Sequence, residues 1–352
     1  MDNAAPRVSF VIPSYNAATF LPPLCASLQA QTYRDFEVLI GDDGSTDATR
    51  EAVTPYLSDS RFRLFRWNSN RGVNCATLTL LEQARGMFWA YPGADDILEP
   101  KFLECRLRLF DEHPNVGLVH GRPLVVSENG CLMPDGRIVL PMMNTTEQSI
   151  SIIPARDVLQ ILLQHNLIIT PSVMIRMSIT RCVMDHMLTS WRYAQDWGFW
   201  LLHSATGWDF AYDDRPLVKY RVHPSSLSND PAKEAVRKAE IRLVPLWTMS
   251  RAAQFSDQAA LIWLRWKTPL YAMWLRRALA LAKEGALKDD WLQLGAAAYY
   301  GPAANRVNLV SESIRHSVAI MRCGIQASKA ARHQRFVVSG LASVDHPFFR
   351  RG

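Results

Sequence analysis

The first 112 residues alternate between short apolar runs and segments with helical spacing, and this alternation leaves few folds open. Arg7–Ile12 is an apolar, β-branched run ended by Pro13, and it reads as a buried parallel strand. Residues 19–31 carry Phe20, Leu24 and Leu28 at helical spacing. Phe36–Ile40 is a second strand. Asp47 caps a helix running to about Leu57, with Ala48, Ala52, Val53 and Tyr56 available for packing. Arg61–Trp67 is a third strand, Asn68–Gly72 a loop, residues 74–85 a helix and Met87–Ala90 a fourth strand. Four strand–helix alternations with short connections predict an α/β fold: a mostly parallel, twisted sheet with helices on both faces.

Further along, the pattern predicts a helix from Glu99 to Glu112, strands at Val116–His120 and Pro123–Ser127, and a turn at Asn129-Gly130. Residues 134–153 read as an irregular loop, Pro154–Gln164 as a helix and Ser172–Arg176 as extended. Residues 191–196 lead into an apolar helix at Trp197–Ala205, and Pro216–Val222 is the last strand. From Pro231 the pattern changes to long basic helices. This predicts a main domain over 1–230, with a first half to about 115 and a second over 116–230, plus a helical C-terminal region over 231–352.

Charge divides at the same place. Residues from Pro231 onward hold 19 Lys and Arg against 8 Asp and Glu, a net of +11, whereas the first 230 residues carry a net of −5. A basic tail suits an anionic membrane surface, an acidic polymer or a solvated helical face. Residues 261–282 mix Trp, Leu, Arg and Lys as interfacial helices do, and self-association through this region is equally open. No nucleic-acid-binding module is recognisable, so no nucleic acid is expected as a partner. Six widely spaced cysteines without a C-x-x-C pair argue against a zinc ribbon or a secreted disulfide scaffold. A strand begins within about seven residues of Met1, which leaves no room for a cleavable leader. No apolar run is long and uncharged enough to span a bilayer. The expectation is a cytoplasmic location, with the inner face of the membrane open to the tail.

Polar turns follow each of the four strands. They are Pro13-Ser14-Tyr15-Asn16, Asp42-Asp43-Gly44-Ser45, Asn70-Arg71-Gly72 and Gly93-Ala94-Asp95-Asp96. In a doubly wound sheet such turns share one edge, where ligands bind. Two adjacent carboxylates after an apolar strand form an anionic corner fit for a cation. Two acidic strand ends one βαβ unit apart suggest a nucleoside diphosphate with a divalent metal. Neither a G-x-G-x-x-G after the first strand nor a P-loop motif is present.

In this order the motifs V-S-F-V-I-P-S-Y-N (8–16), Q-T-Y-R-D-F-E-V-L-I-G-D-D-G-S-T-D (31–47), N-R-G (70–72), G-A-D-D (93–96), Q-D-W-G-F-W-L (195–201) and Y-R-V-H-P-S-S-L-S (220–228) resemble the family 2 glycosyltransferases, which have the GT-A fold. The resemblance covers about residues 7–228 and does not reach the basic tail. It implies a nucleotide-sugar donor, with a uridine diphosphate sugar expected, and a glycan or lipid-linked acceptor in cell-surface polysaccharide synthesis. It implies that Pro13, Ser14 and Tyr15 line the base and ribose, that Asp43 hydrogen-bonds the base, and that Arg71 stands near base or diphosphate. Asp95 and Asp96 match the metal- and ribose-binding acidic motif, Asp196 the catalytic base, and His223 a residue touching metal or diphosphate. The chemistry agrees. A hard cation, Mn or Mg, wants carboxylate oxygens and bridges phosphate oxygens. A sugar hydroxyl is a poor nucleophile and needs a carboxylate to take its proton. One base and one metal-held leaving group imply single displacement with inversion.

Two departures stand out. Gly93 replaces the first Asp of the usual D-x-D-D, and Gln195 replaces the Glu before the catalytic Asp, so Asp196 lacks a neighbouring charge and would ionise more easily. A Q-x-x-R-W signature is absent, which argues against a processive synthase. Plainer roles lie beside the functional ones. Asp43 and Asp47 can serve a turn and a helix cap, Asp95-Asp96 can open a helix as N-terminal acids, and Asp196 can cap helix 197–205. His223 and Arg71 are equally readable as loop residues. The tryptophans at 197, 200, 263, 266 and 274 fit a core, although Trp191 or Trp197 could stack on an acceptor sugar. The competing functions are a catalytically lapsed glycosyltransferase that binds a partner through its tail and a sugar-1-phosphate nucleotidyltransferase. The latter lacks its Gly- and Arg-rich loop here.

Overall fold

The computed structural model describes residues 5–133, 150–187, 193–224, 226, 234–257 and 259–261, all within the compact unit Met1–Leu270. The alternation anticipated from the sequence is present. It runs β1 (Val8–Ser14), α1 (Leu21–Gln29), β2 (Phe36–Asp42), α2 (Thr49–Val53), β3 (Phe62–Arg66), α3 (Val73–Gln83) and β4 (Phe88–Ala90). β1 pairs in parallel with both β2 and β4, and β2 with β3. Val8, Phe10 and Ile12 pack with Leu21, Leu24 and Leu28 of α1 in one buried cluster. Val11, Leu39 and Trp89 point to the opposite face and are equally buried. There α3, whose Leu80 is buried, contacts β1 and β2. Burial on both faces explains why these strands read as continuous apolar runs. The helix expected to reach Leu57 is shorter: α2 stops at Val53 and a 3-10 turn, Thr54–Ser58, follows. Pro55 cannot donate to an α-helical ladder, so the last turn tightens.

The chain continues through β5 (Ile97–Leu98), α4 (Phe102–Glu112), β6 (Val116–Gly121), β7 (Leu124–Ser127), β8 (Ile150–Ile153), α5 (Ala155–Gln164), β9 (Met174–Arg176), α6 (Met177–Val183), α7 (Gln195–Ala205), β10 (Asp209–Asp213), β11 (Val218–Val222) and α8 (Glu234–Ala252). The main sheet has eight strands in the order β3-β2-β1-β4-β9-β6-β10-β8, and β5-β11-β7 form a second, three-stranded sheet. β9 runs antiparallel between β4 and β6, and β8 closes the far edge antiparallel to β10. The antiparallel members therefore lie in the second half. Residues 150–153, expected to be irregular, form β8, and β10 was not anticipated. The last strand expected from the sequence is β11, and it belongs to the small sheet.

β10 was hidden by the carboxylates at both ends of its Asp-Phe-Ala-Tyr-Asp sequence. Asp213 is fully buried, and its oxygens accept hydrogen bonds from Arg106 Nη1 at 2.7 Å and from Arg215 Nε and Nη2 at 2.8 Å each. Arg106 is itself fully buried, and burial lowers its pKa to about 10. Two guanidinium groups thus neutralise one carboxylate where β10 meets α4. α8 lies against α7, and Glu240 accepts hydrogen bonds from Tyr193 N at 2.6 Å and Ala194 N at 3.2 Å. Among the described residues no helix is long and apolar enough to cross a membrane. Trp191, Trp263, Trp266, Trp274 and the stretch beyond Leu261 lie outside the described residues, as does 134–149 of the expected loop.

Replacing Asp213 with Ala would leave the fully buried Arg106 guanidinium and the half-buried Arg215 guanidinium without this carboxylate. Asp213→Ala is expected to cost about 3–5 kcal/mol of stability, measured as a lowered midpoint in urea unfolding. An unchanged midpoint would show that this pairing does not hold β10 in place.

Candidate active site

The strand order reverses at β1, whose neighbours β2 and β4 lie on opposite sides, so the crevice at their carboxyl ends is the expected ligand position. The segment after β1 and the turn after β2 are stitched together there. Asn16, in the left-handed region at φ 50°, accepts a hydrogen bond from Thr46 N at 2.9 Å and donates its own N–H to Ser45 Oγ at 2.9 Å. Asp47 accepts from Ala18 N at 3.1 Å and from Thr49 N at 3.0 Å, which makes it a brace at the start of α2. Ser14 Oγ turns inward to the Gly41 carbonyl at 3.1 Å, while Tyr15 is 48% exposed beside it. Pro13 lies half-buried between strand and turn.

Asp43 is buried, and its carboxylate organises the loop after β3. It accepts from Arg71 N at 3.0 Å to each oxygen and from Gly72 N at 2.8 Å. Gly44 makes this approach possible. Its φ is 74°, and a Cβ there would stand 2.5 Å from the backbone of Ser69. The Arg71 guanidinium lies over the Trp67 ring at 4.1 Å, with its Nε 3.8 Å from Asp43. The loop thus presents a planar, pre-stacked cation to the cleft. Asp42 is also buried. Hydrogen bonds from Ser45 and the ion pair with Arg66 outweigh the larger single effect of burial, and they hold its carboxyl below the usual range.

The acidic turn after β4 separates its two carboxylates. Asp96 points inward, 1% exposed, and accepts from Gly93 N at 2.9 Å and Arg221 N at 3.1 Å. Burial first, and the neighbouring Asp95 second, push its carboxyl well above the usual range. Asp95 is the more open of the two, and its Oδ2 lies 2.9 Å from His223 Nε2. The His223 ring lies 4.5 Å from the Phe20 ring, tilted by 31°. Arg221, on β11, fixes the turn a second time through Nε to the Asp95 carbonyl at 2.8 Å, and its Nη1 donates to the Glu128 carbonyl. Arg221 was overlooked in the sequence, although its place beside Val222-His223 in the Y-R-V-H-P motif was the available signal.

These residues suit a hard cation only in part. Among the described residues no group of three or more His, Cys, Asp or Glu side chains is arranged to hold an ion. A Cβ on Gly93 would meet Asp96 Oδ2 at 2.5 Å and Asp95 Oδ1 at 2.7 Å, so this turn has no room for a third carboxylate. Asp95 Oδ2 and His223 Nε2, 2.9 Å apart and bonded to each other, are the remaining candidate ligands. A magnesium-like ion that keeps waters and takes one or two protein ligands plus substrate phosphates matches that set.

Asp196 sits in the first turn of α7, which begins at Gln195 with Ala194 as its capping residue, so the plainer role of helix cap does not hold for this carboxylate. It is half-buried. Its Oδ1 accepts from Trp197 N at 2.7 Å, and its Oδ2 from Asn166 Nδ2 at 3.2 Å and Thr170 Oγ1 at 3.1 Å. Burial is the largest influence and raises its pKa, against the easier ionisation expected from the lost neighbouring Glu. Tyr91, just before the acidic turn, has its phenol pushed up to about 12 by burial and then by Asp196, and it bonds Thr77 Oγ1 at 2.8 Å. Asn166 and Thr170 lie in a segment with no motif, so nothing local marked them. Trp197 is buried with its Nε1 bonded to the Leu162 carbonyl at 2.6 Å, so it belongs to the core and does not offer a stacking face.

Residues 9–178 match the family model described as glycosyl transferase family 2. The Escherichia coli UDP-Glc:alpha-D-GlcNAc-diphosphoundecaprenol beta-1,3-glucosyltransferase WfgD is 33% identical over 138 residues, 39% of this chain and 53% of that protein. The chain therefore spans about half the length of that relative. An uncharacterized glycosyltransferase of Haemophilus influenzae is 26% identical over 245 residues, covering 68% of this chain and 73% of that one. The crystal structure of S. aureus TarS 1–349 in complex with UDP superposes with a TM-score of 0.55 at 16% identity, over 90% of this chain and 92% of that one, a likeness of fold.

Because a Cβ at residue 93 meets two held carboxylates, Gly93→Ala is expected to destabilise the chain by about 1–3 kcal/mol. Chemical unfolding is the check, and wild-type stability would mean that the acidic turn shifts freely.

Proposed function

Since the chain belongs to glycosyl transferase family 2, a membership carried by residues 9–178, we propose that it transfers a sugar, with inversion, from a uridine diphosphate sugar to a hydroxyl of a glycan or lipid-linked acceptor. Asp196 carries this proposal: a half-buried carboxylate with raised pKa, held by uncharged donors. Asp196 takes the acceptor's proton as that hydroxyl attacks the anomeric carbon. A base whose pKa lies nearer the working pH holds a transferred proton better than an ordinary carboxylate does.

On the donor side, Tyr15 and Pro13 flank the base with the backbone at Ser14. Asp43, already bonded to Arg71 and Gly72, keeps a lone pair for an imide N–H such as that of uracil. Arg71 faces the diphosphate with the stacked guanidinium. Asp95 and His223 would hold a Mn or Mg ion, and Asp96 and Arg221 fix the turn that presents them. Such an ion, when bound, stabilises negative charge on the departing diphosphate as a Lewis acid. An acceptor in cell-surface polysaccharide synthesis is favoured by the E. coli relative, whose name includes a diphosphoundecaprenol-linked sugar. A lapsed, binding-only domain is the second possibility, and it is favoured by the short set of metal donors.

Asp196→Asn is expected to abolish transfer while nucleotide binding persists, and near-normal turnover in this variant would remove Asp196 as the base. In the wild-type protein the raised pKa means that the ionised base is lost as pH falls through a value above the ordinary 3.8. The acid limb of kcat should therefore lie above that value, and a limb at or below it would contradict the assignment. A thermal-shift screen of nucleoside diphosphates with and without Mn or Mg should give its largest shift with UDP plus metal. Equal shifts for UDP with and without metal would refute the proposed ion site, and UDP binding without turnover on any acceptor would favour the lapsed domain.

A further inference from the structure

Asp196 is held by a segment far from it in sequence, and the holding is asymmetric between its two oxygens. Oδ2 accepts two hydrogen bonds, from Asn166 Nδ2 at 3.2 Å and Thr170 Oγ1 at 3.1 Å. Oδ1 accepts one, from Trp197 N at 2.7 Å. A carboxylate oxygen offers two lone pairs, so Oδ2 is filled and Oδ1 keeps one open.

The donors are themselves anchored. Thr170 opens the 3-10 turn Thr170–Ser172 between α5 and β9. Ser172 is fully buried in that turn, where it accepts from Gly121 N at 3.1 Å and donates to the Ile169 carbonyl at 2.7 Å. Gly121 is the last residue of β6. Hydrogen bonds therefore tie the end of β6 through Ser172 to the Ile169 carbonyl, and the next residue, Thr170, bonds Asp196. The groups facing Asp196 are the Trp197 N–H and the residue's own backbone N–H on α7, Asn166 and Thr170 from the α5–β9 segment, and the Tyr91 phenol from the end of β4. From α8, the Glu240 carboxylate binds Tyr193 N and Ala194 N at the head of the same helix. Among the described residues no Lys, Arg or His forms an ion pair with Asp196. A cationic partner would depress its pKa and weaken it as a base, whereas neutral donors fix its orientation and leave much of its basicity.

We propose that Asn166 and Thr170 are positioning residues that fill Oδ2 of Asp196 and direct Oδ1 to take the acceptor's proton. This inference rests on Asp196 being the base, as proposed above. When the acceptor hydroxyl attacks, its O–H bond breaks, the oxygen's electron pair forms the new bond to the anomeric carbon, and the proton passes to the open lone pair of Oδ1. The bond from the anomeric carbon to the diphosphate oxygen breaks, and that electron pair leaves with the nucleoside diphosphate.

The test is the pH profile of kcat for Thr170→Val, Asn166→Leu and the double variant, with Thr170→Ser as the conservative control and UDP-sugar KM measured alongside. Each single variant should lose about tenfold in kcat near neutral pH, and the double variant more. The acid limb should move to higher pH, because donors that favour the ionised form are gone. Donor KM should stay within about twofold of wild type, since the nucleotide turns are untouched. Thr170→Ser should restore both kcat and limb. A double variant with wild-type kcat overturns the proposal, and so does a kcat loss with the limb unmoved. If Thr170→Val does not fold, Asn166→Leu carries the same readout. Asp196→Asn separates the two levels: turnover in that variant removes the base itself, whereas an inactive Asp196→Asn beside unaffected 166 and 170 variants removes only the positioning role.

Discussion

Asp96 is buried at the end of β4 with its carboxylate turned away from the cleft, and a buried carboxylate must find donors. It finds them in Gly93 N of its own turn and in Arg221 N on β11, which belongs to the second sheet. Arg221 then returns to the Asp95 carbonyl and reaches the carbonyl of Glu128 beyond β7. One buried carboxyl group thereby joins the acidic turn after β4 to the second sheet, and it sets the direction in which Asp95 faces. His223 follows two residues after Arg221 on the same strand end, so its ring arrives at Asp95 as a consequence of that clamp. Substituting a bulkier residue at Gly93 disturbs this junction before it disturbs any ligand, because the space over the two carboxylates is already taken.

The same division between inward and outward acids recurs at the other strand ends. After β2, Asp42 is held below the usual range by Ser45 and Arg66, and Asp43 braces the Arg71–Gly72 backbone while its Oδ1 accepts only one of those hydrogen bonds. At the end of β10, Asp213 lies between two arginines. These carboxylates shape turns. Asp95 and Asp196 are less buried than these braces, and the hydrogen bonds that Asp196 accepts come from uncharged groups only.

Much of this was legible in the sequence, for identifiable reasons. β1 and β2 are buried on both faces, so their composition alone announced them. Asp43, Arg71, Asp95, Asp96, Asp196 and His223 were all marked by turn position or motif, and the structure gathers the first four and His223 at the carboxyl ends of β1–β4 and β11. β10 was not legible, since a strand with an aspartate at each end is stable only when Arg106 and Arg215 neutralise Asp213. β8 was not legible either, because an edge strand depends on the neighbour that receives it. The order of Asp95 and Asp96 in the motif gave no hint that one faces in and the other out.

The sequence by itself determined a parallel α/β sheet with acidic turns at its carboxyl edge, because periodicities of two and 3.6 residues and strand-end polar turns are local properties of a chain. Only the tertiary structure decided which carboxylates are buried braces, that Asn166 and Thr170 hold Asp196, and that β9 enters the sheet antiparallel between β4 and β6. Each of these depends on partners brought together across long stretches of chain: 125 residues separate Asp96 from Arg221, and 26 separate Thr170 from Asp196. The burial and hydrogen-bonding that fix a carboxylate's orientation and pKa come from those neighbours, and sequence spacing carries no record of them.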